Sequence, residues 1–284
     1  LHIALLAIGL SVLMHVGWNL LARHTDPRSN FLWWGVAGYL VIFGPWSLWR
    51  LAQDANWNAT LVIAITVTAI TIAIYLVSLR AAYRYAPVAL VYPIARSSPL
   101  LIAVWSVLFF DETLSLLGWT GILISVIGLA WLAATARAGE PARALPWAGL
   151  AALSTSIYSL SDKVAVAYLP TFASQIGMVS VCYLVGFVAL SVGNLKEIGR
   201  IVPLMRPGWG TLLVGSVCVG LAYALVIHAM HYLPAAYVVT FTNVGLVLAT
   251  LLSIFAFRER EHWRTRLVAV IVITIGIVCV GFAR

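Results

Sequence analysis

The chain has 284 residues, of which 63% are hydrophobic and only 9% charged. A soluble domain carries roughly 25% charged residues, so this composition excludes a soluble enzyme, a secreted disulfide scaffold, a disordered chain and a soluble nucleic-acid binder. The net charge of +8 comes from 17 Lys and Arg against 9 Asp and Glu. These cations are dispersed through short loops, which reads as a topology signal and not as a nucleic-acid surface.

A helix needs about 20 apolar residues to cross a roughly 30 Å hydrocarbon core. The sequence offers ten such runs, at 2–22, 31–50, 60–83, 88–109, 115–136, 146–167, 172–193, 208–231, 235–256 and 263–283. Their continuity predicts an all-α integral membrane protein with ten transmembrane helices; barrel strands would alternate over about ten residues. The first run lacks the basic start and small-residue cleavage site of a signal peptide and reads as a span. Runs four and nine begin after Pro87 and Pro234, where proline fits a first helical turn. Trp33, Trp34, Trp46, Trp49, Trp119, Trp147, Trp209 and Trp263 lie near run ends, as an interfacial belt would. Cys182, Cys218 and Cys279 sit inside runs without ligand spacing and read as packing.

Polar groups inside a span need partners or water and are functional candidates. On the first run Ser11, His15, Trp18 and Asn19 share one helical face. They either bond to a neighbouring helix or line a cavity with a titratable His15. Arg96 lies nine residues past Pro87, about 13 Å into its run, with Tyr92 four residues before it. Its guanidinium can clamp a carboxylate or phosphate, or pair with an acid from another helix, Asp162 first among them. On the sixth run Tyr158 and Asp162 share a face beside Lys163; these snorkel and pair locally, or act as gate or substrate contacts. Tyr75 and Tyr223 suit the wall of an amphipathic site or simple packing. His228, Thr240, Thr242 and Asn243 complete the candidates in the second half. Gly118, Gly121, Gly128, Gly276 and Gly281 mark the fifth and tenth runs as packing helices, and Glu112 and Glu259 read as caps or turn residues.

The polar stretch at 137–145 divides the sequence into 1–140 and 141–284, each with five runs. An offset of 147 residues lays 79–94 on 226–241, matching Tyr85 to Tyr232, Pro87 to Pro234, Glu112 to Glu259 and Arg96 to Asn243. An offset of 143 lays Ser11, His15 and Asn19 on Ser154, Tyr158 and Asp162. A duplicated unit with an odd number of spans inserts in opposite orientations. The expectation is therefore an inverted repeat with its site between the halves, near the bilayer midplane, and a rocking of one half on the other.

The segments WNLLARHTDPRSNF, YRYAPVALVYPIARSSPLL and FFDETLSLLGWTGILISVIGLAWL resemble the first EamA-type repeat of the drug/metabolite transporter superfamily. HYLPAAYVVTFTNVGLVLATLLSIFAFRERE resembles the second, so the likeness covers essentially the whole chain. It implies an exporter of amino acids and related metabolites, a family that includes aromatic-amino-acid exporters of the YddG kind. The chain departs from the family pattern at Thr240-Phe241-Thr242-Asn243, where proline is common.

The expected function is a secondary transporter exporting amino acids or similar small amphipathic metabolites by alternating access, in a bacterial inner membrane. Its partners would be a small-molecule substrate and the lipid bilayer, with a proton or counter-substrate open as the driver. A channel, a receptor or a scaffold is the alternative. HExxH, GxSxG, paired-aspartate and Cys/His metal motifs are absent from the sequence, so neither an enzyme nor a cofactor is expected. The odd-numbered loops carry 13 cations, among them Arg23, Arg84, Arg143, Lys196 and Arg264, against Arg50, Lys163 and Arg284 on the other side. This asymmetry puts both termini outside, whereas the family likeness implies termini inside.

Overall fold

A computed structural model describes residues 2–136, 139–258 and 261–283. The chain is 83% helical, with no strand among the described residues. Hydrocarbon offers the backbone no outside partners, so each segment bonds to itself. The helices are α1 (His2–Arg23), α2 (Phe31–Asp54), α3 (Ala59–Tyr85), α4 (Val88–Ala95), α5 (Ser98–Phe110), α6 (Leu116–Ala134), α7 (Pro141–Val166), α8 (Phe172–Ile198), α9 (Trp209–Ala229), α10 (Ala235–Thr242), α11 (Val244–Phe255) and α12 (Trp263–Phe282).

Nine stretches among the described residues are long and apolar enough to span a bilayer, counting α4 with α5 and α10 with α11 as one span each. The tenth is α7. Its 26 residues reach about 39 Å, but Arg143, Asp162, Lys163 and a hydroxyl-rich stretch make it the polar helix of the set. Leu6, Val41, Leu116 and Phe282 expose about three-quarters or more of their surface, which suits lipid and not water.

Three departures from the sequence reading have local causes. Helix α7 begins at Pro141, not 146, because Gly139 at φ +87° turns the chain and Glu140 N–H donates to the Tyr85 carbonyl at 2.7 Å. Helix α8 runs on to Ile198 and stops where Gly199 adopts φ +67°. The runs at 88–109 and 235–256 are each two helices, not one.

The helices gather into two compact units. The first comprises 1–77 and 161–232, the second 78–160 and 233–284, so each takes helices from both halves of the sequence. In the first, α2 packs along α8 and α9 around Phe31, Trp33, Val36, Leu190 and Val219. Trp33 is thus a core residue and not part of an interfacial belt; it is 5% exposed and its Nε1–H donates to Ser191 Oγ at 2.9 Å. In the second, α6 packs along α12 around Leu129, Leu132, Ala269, Ile273 and Ile277, with Leu246 and Val247 of α11.

Both units pair equivalent helices of the two halves, and both pairs run antiparallel. Along α2 and α8, the second spans of each half, Asn30 bonds Asn194 at 2.8 Å and Ser47 bonds Ser180 at 2.8 Å, so one number rises as the other falls. Along α6 and α12, the fifth spans, Gly121 faces Gly276 and Val280, and Gly128 faces Ala269 and Ile273. Equivalent helices of opposite direction are what an inverted repeat requires. The glycines bring the helix backbones close: a Cβ on Gly121 would lie 2.7 Å from the Gly276 carbonyl oxygen.

Candidate functional site

The breaks in spans four and nine fall at equivalent places and meet in the second unit. Between α4 and α5, Pro99 lacks an N–H and its ring would crowd the Ala95 carbonyl in a continuous helix. The chain therefore turns at Arg96 and Ser97. Between α10 and α11 no proline acts. Thr240 and Thr242 instead turn their hydroxyls onto the Ala236 and Val239 carbonyls, both at 2.7 Å, a back-bonding that bends helices. The ladder breaks at Asn243, where Leu246 N–H donates to the Asn243 carbonyl at 3.0 Å instead of that of Thr242.

Each break leaves a carbonyl released from its helix, and each is met by the other break's side chain. Arg96 Nη2 donates to the Thr242 carbonyl at 3.1 Å and to Thr242 Oγ1 at 3.0 Å. In return Asn243 Nδ2 approaches the Arg96 carbonyl at 3.5 Å. Arg96 and Asn243 are the pair matched by the sequence offset. The half-buried guanidinium lies 5.8 Å from the centre of the Tyr92 ring. After these contacts two buried polar atoms have no partner, Arg96 Nε and Asn243 Oδ1. One is a donor and the other an acceptor.

The other candidates lie elsewhere. In the first unit Asp162 is fully buried and accepts from Thr68 Oγ1 at 2.9 Å and Tyr223 Oη at 2.6 Å. The hydrogen bonds of Arg96 thus go to Thr242, and those of Asp162 come from two hydroxyls. Lys163 Nζ donates to the Met230 carbonyl at 2.6 Å. Met230 closes α9, so this cation sits where the helix dipole favours it. On α1, Ser11 Oγ donates across to the Ala222 carbonyl of α9 at 2.7 Å, a helix-to-helix bond. His15 Nδ1 lies 2.9 Å from the Ser11 carbonyl and Asn19 Nδ2 donates to the His15 carbonyl at 2.7 Å. Trp18 packs against the α2 core. Tyr75 on α3 and Tyr158 on α7 are half-buried, in the first and second units respectively.

His228 belongs to a chain of polar contacts the sequence reading missed. Its Nδ1 lies 3.0 Å from Gln175 Oε1, and Gln175 Nε2 lies 2.9 Å from His231 Nε2 and 3.1 Å from the Leu169 carbonyl. With the amide NH2 facing it, His231 Nε2 must accept, so its proton belongs on Nδ1. Burial pushes the His231 pKa down, opposed in part by the Leu169 carbonyl and assisted by the charge of Lys163. Thr68 and Gln175 carried no sequence signal, Thr68 being one of several threonines in its run and Gln175 a neutral amide beside Ser174. The breaks did carry one: Pro93 and Pro99 flank Arg96, and Thr240 to Asn243 is the polar point of the ninth run.

Glu112 lies in the turn between α5 and α6, where Ser115 and not Glu112 caps the helix. Glu259 lies outside the described residues. Gly118 faces the Tyr237 hydroxyl of α10 and Gly281 approaches Phe241, so both pack within the second unit. Of the cysteines, Cys182 is buried and Cys218 and Cys279 are half-buried, all as free thiols.

The sequence model of the EamA-like transporter family matches the chain twice, over residues 2–134 and 142–282. A search of curated proteins gave no sequence match. Among the solved structures that match this fold is a crystal structure with a TM-score of 0.74 at 18% identity over 97% of this chain and 95% of its own. Two copies of the family pattern, with antiparallel equivalent helices and paired breaks, identify a multi-pass membrane transporter and not an enzyme: the chain belongs to the EamA-like transporter family of the drug/metabolite transporter superfamily.

Proposed function

We propose that the protein exports amino acids or similar small amphipathic metabolites by alternating access, and that the paired breaks of spans four and nine recognise the substrate's charged end. The observation carrying this reading is the complementary pair of unpartnered buried atoms, Arg96 Nε and Asn243 Oδ1. A carboxylate accepts from the guanidinium in a charge-assisted bond, and an ammonium donates to the amide oxygen. Both groups together describe a zwitterionic amino acid. Each repeat supplies one of the two residues, as expected where discontinuous helices form a carrier's site. Tyr92 beside the guanidinium offers a surface for the substrate's apolar part.

The remaining candidates fall into supporting roles in this reading. Thr240 and Thr242 hold the second break in shape. His15, Trp18, Asn19, Tyr75, Tyr223, Lys163 and His228 belong to the first unit and Tyr158 to the second. The membrane is a bacterial inner membrane, and the charge asymmetry of the loops puts both termini outside.

The direct test is purified protein in liposomes challenged with a panel of amino acids, their decarboxylated amines and organic anions. Saturable uptake of carboxylate-bearing compounds is expected, with competition among amino acids. Movement of none of them ends the substrate assignment, and non-saturating flux would make the protein a channel.

A further inference from the structure

The buried acid of the first unit has partners of an unusual kind. Asp162 is fully buried, and Thr68 of α3 lies nine residues past the start of its helix, about 14 Å in. The carboxyl is thus placed well inside a span, where an ion is costly. Asp26 and Asp54, by contrast, are ion-paired with Arg28 and Arg50 at 2.8 and 2.7 Å, and a guanidinium can only donate, which fixes the charged state. Among the described residues Asp162's hydrogen-bond partners are two neutral hydroxyls, one on each oxygen.

A hydroxyl both donates and accepts. Facing a carboxylate, Thr68 and Tyr223 both donate. Facing the carboxylic acid, either can rotate its proton away and accept from the new O–H. The site therefore satisfies both protonation states without moving a helix. We propose that Asp162 is a proton-binding site that loads and unloads during the carrier's cycle: one proton joins a carboxylate oxygen to form the O–H, and leaves again, with no other covalent bond changed.

The groups facing it are consistent with a proton. From α8, Cys182 is a buried free thiol. From α9, Tyr223 is stacked on Tyr183 at 6.2 Å. The adjoining Lys163 reaches the Met230 carbonyl, and α1 contacts α9 at Ala222, beside Tyr223, through Ser11, one turn from His15. Tyr223 also connects the site to α9, which Lys163 caps, so protonation alters the bonding that joins α3, α7 and α9.

This inference rests on the reading of the chain as a carrier, but its test does not require a known substrate. The carbonyl stretch of protonated carboxylic acids is followed by infrared difference spectroscopy on the purified full chain between about pH 5 and 9. An acid band that titrates in this interval is expected in the native protein and is lost in Asp162→Asn. Asp162→Glu retains a band at a displaced frequency, which guards against loss of the fold in the amide variant. Thr68→Val and Tyr223→Phe displace the midpoint. A spectrum without a titrating acid band, or a band unchanged in Asp162→Asn, overturns the proposal. A band suppressed by sodium at constant pH makes this a cation site and overturns it equally. Transport without a titrating acid would remove this inference alone, whereas a titrating acid in a protein that moves no solute would remove the carrier reading.

Discussion

Substitution of Gly121 by Ala tests whether the α6–α12 pair is built on backbone contact. The added Cβ would lie 2.7 Å from the Gly276 carbonyl oxygen and 2.8 Å from both the Val280 nitrogen and its Cγ2, where ordinary contact begins at 3.4 Å. Two of these atoms are backbone and cannot rotate away, so the helices must part by about 0.7 Å or more. That separation runs along the interface of Leu129, Leu132, Ile273 and Ile277, and membrane helices associate through such packing without a hydrophobic drive. Overpacking of this kind costs about 1–3 kcal/mol. Gly149 is the control, since a Cβ there meets nothing within 4 Å and Ala is favoured over Gly in a helix by up to about 1 kcal/mol. Thermal unfolding in detergent, read as loss of the monodisperse peak on size exclusion, should place Gly121→Ala several degrees below the native protein and Gly149→Ala at or above it. Equal midpoints for the two variants would refute close backbone packing as the basis of the pair.

Arg96→Ala should weaken carboxylate-bearing substrates by about 10- to 100-fold, the worth of one bond to a charged group, and leave neutral analogues less affected; equal loss for both would sink the clamp. Arg96→Lys should recover little, because an ammonium cannot reach Thr242 and a ligand together as the planar fork does. For His231, whose pKa in the fold is lowered, the unfolded chain binds the proton more readily. Stability is therefore held above the ordinary histidine value of about 6.5 and falls as the pH drops through it. The melting temperature should decline on acidification in the native protein and less so in His231→Gln; parallel profiles would exclude His231 as the cause. Asn30→Leu removes both the bond to Asn194 and the cap on Trp33 N–H. It should cost roughly 1–2 kcal/mol, and Asn194→Leu, which removes the same bond together with that to the Ile201 carbonyl, should cost a similar amount in the same melts.

The sequence by itself determined the spans, their number and their pairing into two repeats. These are local quantities: an uninterrupted apolar stretch of bilayer length, a polar divider at 137–145, and Pro87 and Pro234 at matching offsets. It also determined that Arg96 and Asn243 are equivalent, because the offset is a property of the string. Tertiary structure alone decided who meets whom. Arg96 could have taken Asp162, and no periodicity says that it takes the Thr242 carbonyl, because that acceptor exists only once span nine breaks and frees it. Asp162 likewise obtained Thr68, one of several threonines of its run, and Tyr223, a candidate whose partner no local pattern names. The compact units, which cut across the sequence halves, follow from the same cause: hydropathy fixes that a helix lies in lipid but is silent on its neighbours, which are chosen by glycine contacts and buried hydrogen bonds between residues far apart in the chain.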